Sequence, residues 1–125
     1  MSTGDPELSI VIPSYNEELR LPTTLERIAA YTKQFGREVE VLVVDDGSTD
    51  RTAAVAESFR GKIPALRVVP NGLNRGKGFS VRHGVEQSHG RIVLFTDADL
   101  SAPIEEASKL IDALEHFDLA IGSPQ

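Results

Sequence analysis

The amino-acid sequence predicts a doubly wound α/β domain, a mostly parallel sheet with helices on both faces. Three observations carry this. Short β-branched and apolar runs alternate with helix-length amphipathic segments, a pattern that calls for crossover connections and parallel strands. The run Val39 to Val44 is almost continuously apolar apart from Glu40, as a strand buried on both faces is. Each of the first four runs also ends in a loop richer in polar side chains than a fold alone requires. In open α/β sheets that carboxyl end is where ligands bind.

In chain order, residues 1–7 are read as a disordered N-terminus and residues 8–125 as one domain. Leu8 to Ile12 is the first strand, closed by Pro13, which has no N–H for a ladder. After the loop Ser14-Tyr15-Asn16-Glu17-Glu18, Leu21, Leu25, Ile28, Thr32 and Phe35 recur at helical spacing, and Gly36 ends the helix. Val39 to Val44 is the second strand. Asp45-Asp46-Gly47-Ser48-Thr49-Asp50 is a turn delivering a short helix, with Thr52, Val55, Ala56 and Phe59 as its buried stripe and Gly61 as its stop. Leu66 to Pro70 is the third strand. The segment Asn71 to Gly78 then leads into a helix from about Phe79 to Ser88, with Val81 and Val85 inward and Gly90 as its break.

Arg91 to Thr96 is the fourth strand. Ser101-Ala102-Pro103 starts a further helix with Glu105 and Glu106 in its first turn, and Ile104, Ala107, Ile111, Leu114 and Phe117 form its inner face. Leu119 to Gly122 begins a fifth strand. The expected strand order is 3-2-1-4 with the fifth beyond. That order puts a switch point between strands one and four, where the loops holding Tyr15 to Glu17 and Asp97 to Asp99 face each other across one crevice.

Composition bounds the function. A chain of 125 residues is one domain or part of one, with 40% hydrophobic and 26% charged residues. A net charge of −6 argues against a nucleic-acid groove or a basic membrane-surface patch, so a phosphate-bearing ligand needs local help from a cation, backbone N–H groups or placed Arg and Lys. The chain has no cysteine, which excludes a disulfide framework and fits a cytoplasmic protein. No apolar run reaches the ~18 residues of a membrane span.

Four loops carry candidate chemistry. In Phe95-Thr96-Asp97-Ala98-Asp99-Leu100-Ser101, two carboxylates follow the fourth strand. Both can approach one hard cation, or one can bind the cation and the other a hydroxyl; alternatively they end the strand and cap the next helix. In the first loop, Tyr15 and Asn16 are candidates for a ligand, or for a packed aromatic and a helix cap. In the second, one of Asp45 and Asp46 can accept from a base N–H or a ribose hydroxyl, while Ser48 or Asp50 can serve as a cap. In the third, Asn74-Arg75-Gly76-Lys77-Gly78 looks superficially like a phosphate cradle and concentrates positive charge, against the alternative of a solvated turn. It matches neither the P-loop nor the Rossmann glycine fingerprint. His83, His89 and His116 show no ligand spacing. No Gly-x-Ser-x-Gly is present, and Asp-x-Asp follows the fourth strand rather than the first, which counts against an aspartyl-nucleophile phosphatase.

Taken together, Ile10-Val11-Ile12-Pro13-Ser14-Tyr15-Asn16-Glu17, Val43-Val44-Asp45-Asp46-Gly47-Ser48-Thr49-Asp50, Asn74-Arg75-Gly76-Lys77-Gly78 and Asp97-Ala98-Asp99 resemble the GT-A-fold glycosyltransferases of family 2. Asp97-Ala98-Asp99-Leu100-Ser101-Ala102-Pro103-Ile104-Glu105-Glu106 is similar to the dolichyl-phosphate and polyprenyl-phosphate glucosyl- and mannosyltransferases. The resemblance implies an inverting transfer of a hexose from a nucleoside-diphosphate sugar, UDP-glucose or GDP-mannose, to an acceptor such as a polyprenyl phosphate. It implies Pro13, Tyr15 and Glu17 lining the nucleoside pocket, with Asn16 and Asp46 among the donor-binding residues and Asp45 on the base. Arg75 and Lys77 lie beside base and phosphates. Asp97 reaches ribose or metal, and Asp99 holds the Mg²⁺ or Mn²⁺ that bridges the diphosphate; this pair is the expected catalytic centre.

A complete domain of that family is longer, and where relatives continue the fifth strand into Gly-Ser-Arg this chain has Gly122-Ser123-Pro124-Gln125. The expectation is therefore a nucleotide-binding half, truncated or excised, of a protein working at the cytoplasmic face of a membrane. The alternative is a non-catalytic nucleotide-binding or self-associating module, dimerising through the unfinished sheet edge after Leu119 to Ile121.

Overall fold

A computed structural model describes residues 5–36 and 38–96. Within them the chain forms β1 (Leu8–Ser14), α1 (Leu21–Phe35), β2 (Val39–Asp45), α2 (Thr52–Glu57), β3 (Leu66–Pro70), α3 (Lys77–Gln87) and β4 (Ile92–Phe95). All pairings are parallel and the order is β3-β2-β1-β4, the expected doubly wound arrangement with β1 central. The expected helix after Ser101, the fifth strand and the sheet edge at Leu119 to Ile121 lie outside the described residues.

Side-chain alternation along the strands builds two different interfaces. Leu8, Ile10 and Ile12 of β1 and Val41 and Val43 of β2 face α1 and α2, meeting Leu21, Leu25, Ile28, Ala56 and Ile63 in the larger core. Val11, Leu42, Val44 and Val69 form a smaller cluster on the other face. There α3 packs on β1 and β2 through Gly84: a Cβ at that position would lie 2.4 Å from Val11 Cγ1 and 2.9 Å from Val44 Cγ2. The close approach depends on the missing side chain.

Besides one-residue shifts at the end of β2 and at both ends of β4, the boundaries of three elements differ from the sequence expectation. Pro13 lies inside β1, paired with Val44, rather than ending it. Thr96 N–H donates to Val11 O, so Val11 and, two residues on, Pro13 turn their main-chain groups toward β4, where the described register stops at Val11 opposite Phe95. The missing N–H of Pro13 therefore falls beyond that ladder. α2 stops at Glu57, because Ser58 Oγ donates back to Val55 O and the following turns close through i→i+3 bonds; Phe59 reaches the core from a turn. α3 begins at Lys77, and its buried residues are Ser80 and Gly84, with Val81 and Val85 only half-buried. At Gly76, φ of 99° provides the sharp entry that a side chain would resist.

Candidate functional site

The loops leaving β1, β2 and β3 at their carboxyl ends are fastened to one another. Asn16, at a left-handed φ of 52°, accepts Thr49 N–H on Oδ1 at 2.8 Å, while its own N–H donates to Ser48 Oγ at 2.9 Å. Glu17 N–H donates to Thr52 Oγ1 at 2.8 Å, and Arg51 N–H to Glu18 Oε1 at 2.9 Å. Asp50 accepts from Thr52 N–H and Oγ1 and from Glu18 N–H, an Asx-type turn one residue ahead of the α2 N-cap Arg51. Burial pushes its carboxyl upward, but those hydrogen bonds outweigh it and hold the group below the usual carboxylate range.

The second seam joins the β2 and β3 loops. At Gly47, φ is 75° and a Cβ would lie 2.6 Å from Asn74 N and 2.7 Å from Leu73 C, so backbone passes against backbone. Asp46 is buried at 5% exposure, and its carboxylate is fully engaged. Oδ1 accepts from Arg75 N–H at 2.7 Å and Asn71 Nδ2 at 2.8 Å, and Oδ2 accepts from Gly76 N–H at 3.0 Å. Asn71 Nδ2 also donates to Ser80 Oγ, which donates to Gly76 O. With its Nδ2 spent on two acceptors, Asn71 presents Oδ1 to His83 Nδ1 at 2.7 Å, so the His83 proton on that contact sits on Nδ1. Burial raises the Asp46 carboxyl, and the Arg75 N–H, Asn71 and Gly76 N–H bonds more than reverse it, holding the group below the usual carboxylate range.

The expected site residues separate into two groups. Tyr15, Asn16, Arg75 and Lys77 are exposed; Pro13, Glu17 and Asp45 are half-buried. Asp45 Oδ1 accepts Ser48 N–H at 3.0 Å, and its Oδ2 meets no hydrogen-bond donor among the described residues. Arg75 lies over the Phe79 ring at 5.1 Å, its guanidinium steered by the first turn of α3. Asn16 spends its side-chain oxygen, and Asp46 both of its oxygens, on the framework. The backbone N–H groups of Arg75 and Gly76 are likewise taken by Asp46, so the positive face of this turn rests on side chains rather than on a backbone cradle.

Asp97 and Asp99 lie outside the described residues, as does His116. Among the described residues no group of three or more His, Cys, Asp or Glu is placed to hold a metal, and no helix is long and apolar enough to cross a membrane. Asn71, Ser80, His83 and Thr52 belong to the framework without having been expected there. A signal for one of them was present: Gly76, Ser80 and Gly84 recur every four residues, a small-residue stripe that announces a helix pressed against the sheet.

An open, all-parallel α/β sheet takes its ligands at the carboxyl ends of the strands, which is where these polar loops converge. The comparisons with known proteins narrow this. The chain belongs to the glycosyl transferase family 2, whose family model matches residues 9–125. It is 38% identical over 117 residues to the dolichyl-phosphate beta-glucosyltransferase of Saccharomyces cerevisiae, covering 89% of this chain and 35% of that one. It is 40% identical over 119 residues to the undecaprenyl-phosphate 4-deoxy-4-formamido-L-arabinose transferase of Pseudomonas paraeruginosa, covering 93% and 34%. Among solved structures it is similar to the mannosyltransferase PcManGT from Pyrobaculum calidifontis in complex with GDP-Man and Mn²⁺, at 30% identity and a TM-score of 0.76 over 90% of this chain and 33% of that one. The fold is that of the GT-A glycosyltransferases. The chain spans about a third of the length of these relatives.

Proposed function

We propose that this chain is the donor-binding part of an inverting glycosyltransferase that takes a hexose from UDP-glucose or GDP-mannose and passes it to a polyprenyl phosphate. The observation that carries the proposal is the interlocked carboxyl edge, where three successive β-loops bring Tyr15 and Glu17, Asp45, and Arg75 with Lys77 to one side of the sheet. Relatives named for dolichyl-phosphate and undecaprenyl-phosphate transfer, and a neighbour holding GDP-Man and Mn²⁺, support it.

In this reading Pro13, Tyr15 and Glu17 line the nucleoside pocket, and Asp45 offers its second carboxylate oxygen to a base N–H. Arg75 and Lys77 supply the positive charge that an acidic chain must place locally for a diphosphate. Asp97 and Asp99 would provide the hard oxygen donors that Mg²⁺ or Mn²⁺ takes, Asp97 serving either the ribose or the metal. An ion held by that pair supplies Lewis-acid stabilisation of the departing diphosphate. The acceptor's phosphate oxygen forms the new bond to the anomeric carbon from the face opposite the leaving group, and being anionic it needs little general-base help. A lipid-phosphate acceptor brings the reaction to a membrane surface, and the cysteine-free chain suits its cytoplasmic side.

The test is calorimetric titration with UDP, UDP-glucose, GDP and GDP-mannose, each with and without Mn²⁺, on the native chain and on Asp99→Ala and Asp45→Ala. The expected result is saturable, Mn²⁺-dependent binding of one nucleotide, lost in its metal dependence in Asp99→Ala. Asp45→Ala should weaken the free nucleoside diphosphate as much as the sugar nucleotide. Unchanged metal dependence in Asp99→Ala contradicts the metal role, and an Asp45 effect confined to the intact sugar nucleotide removes Asp45 from the base.

A further inference from the structure

The adjacent carboxylates at the end of β2 have different surroundings. Asp45 keeps an oxygen without a donor among the described residues, whereas Asp46 has none to spare. The three donors on Asp46 come from the segment that leads into α3, and two of them are the backbone N–H groups of Arg75 and Gly76. The structure therefore assigns Asp46 as a positioning residue: its carboxylate fixes the 75–76 backbone so that the Arg75 and Lys77 side chains are presented to the donor's diphosphate. This rests on the donor-binding reading above and changes the part Asp46 plays in it.

The chemistry of the pocket makes this specific. A carboxylate offers acceptors on both oxygens, and here both face N–H groups. An amide at the same position offers one acceptor oxygen and one NH₂. Whichever way it turns, the NH₂ points at a donor, either Gly76 N–H or the pair Arg75 N–H and Asn71 Nδ2. Asp46→Asn thus keeps the volume and loses the hold. Gly76 at its positive φ gives the turn into α3 little stiffness of its own, so the Asp46 bonds to the Arg75 and Gly76 N–H groups, with the Ser80 bonds to Gly76 O, hold it in place. Asp46 also occupies the N-terminal end of α3 as a fixed anion. The diphosphate therefore meets Arg75 and Lys77 side chains instead of those two amides.

The experiment measures uridine, UDP, guanosine and GDP binding, with Mn²⁺, by the native chain, by Asp46→Asn, and by both again in an Arg75→Gln/Lys77→Gln background. For the nucleotide that binds, Asp46→Asn should lower the diphosphate-over-nucleoside affinity ratio about tenfold, equivalent to about 1.4 kcal/mol. Nucleoside binding should stay within about twofold, less than that same constant's 1.4 kcal/mol step. In the Arg75→Gln/Lys77→Gln background the substitution should cost the ratio nothing further. Equal losses for nucleoside and diphosphate, or an unchanged ratio, overturn the assignment while leaving the donor site standing. Failure of the native chain to bind any of the four overturns the donor reading and the assignment with it. Should Asp46→Asn not fold, acid titration of the native chain decides between the two outcomes. The Arg75 and Gly76 amide resonances should move together with Asp46 ionisation and shift again on adding diphosphate but not nucleoside; amides indifferent to both contradict the assignment.

Discussion

The two long helices are fastened to the sheet by different physics. α1 buries Leu21, Leu25, Ile28, Ala29 and Tyr31 against one face, an apolar contact worth about 1.5–3 kcal/mol for each large side chain. α3 buries only Ser80 and Gly84, and is instead held at both ends by carboxylates of the same strand region. Asp46, just past β2, takes the N–H groups leading into its N-terminus. Glu40, near the start of β2 and 7% exposed, accepts from Ser9 Oγ at 2.6 Å and from His89 N–H at 2.8 Å beyond its C-terminus. Arg67 bridges Glu40 Oε2 at 3.2 Å and the last-turn carbonyl of Gln87 at 2.6 Å, a cation where the helix dipole favours one. α1 is seated by close-packed apolar burial, whereas α3 is seated by the close approach at Gly84 together with hydrogen bonds at both ends. The helix that begins at Lys77, two residues after Arg75, is the one tied at its ends by hydrogen bonds.

The comparison can be broken from either side. Leu25→Ala should cost the most, about 2–5 kcal/mol in denaturant unfolding, because a fully buried side chain leaves a cavity in the larger core. Nucleotide affinity of the folded fraction should be unchanged. Gly84→Val should cost about 1–3 kcal/mol by forcing α3 away from Val11 and Val44, and should also weaken diphosphate binding, since the whole helix moves.

Glu40→Gln sharpens the distinction between the two ends of α3. Burial pushes the Glu40 carboxyl upward, but Ser9, the backbone and ring of His89, and Arg67 hold it below its ordinary value. A depressed folded-state pKa adds stability above the unfolded carboxylate's pKa, about 4.3, and that stability is lost as pH falls through the folded value. Glu40→Gln should therefore lower stability at neutral pH by about 1–3 kcal/mol and flatten the acid limb of the stability curve below about pH 4.3, while leaving the diphosphate-over-nucleoside ratio intact. A Glu40→Gln chain that loses that ratio would mean that the two ends of α3 do not act separately.

Much of this was legible in the sequence, and the rest was hidden for definable reasons. The strand order, β3 from Leu66 to Pro70, and α1 with its stop at a left-handed Gly36 of φ 75° followed from periodicity and glycine placement. These are local signals. The inward face of α3 was misjudged because Val81 and Val85 are more apolar than Ser80 and Gly84, yet closeness of backbone approach, not hydrophobicity, chose the buried side. Glu40 read as an interruption in an apolar strand, and its partners Ser9, Arg67 and His89 lie 31 residues before it and 27 and 49 residues after it. Asp45 and Asp46 are indistinguishable as neighbours in a turn. Strand alternation sends one inward to the framework and leaves the other half-buried at the edge.

In the proposed function the carboxyl edge of the sheet receives the donor and the amino edge does not. The amino edge offers the contrast, an open cleft of ≈ 600 Å³ beside Glu40 and His89, against ≈ 540 Å³ along Tyr15 to Arg20 and Asp50. Amide spectra of the isotope-labelled chain, recorded as UDP or GDP is added with Mg²⁺, test it directly. Donor binding at the carboxyl edge predicts saturable shifts at Tyr15 to Glu17, Asp45 to Ser48 and Arg75 to Lys77, with Glu40, Ala65 and His89 unmoved. Shifts centred on Glu40 and His89, or none at the carboxyl-edge loops for either nucleotide, would contradict it.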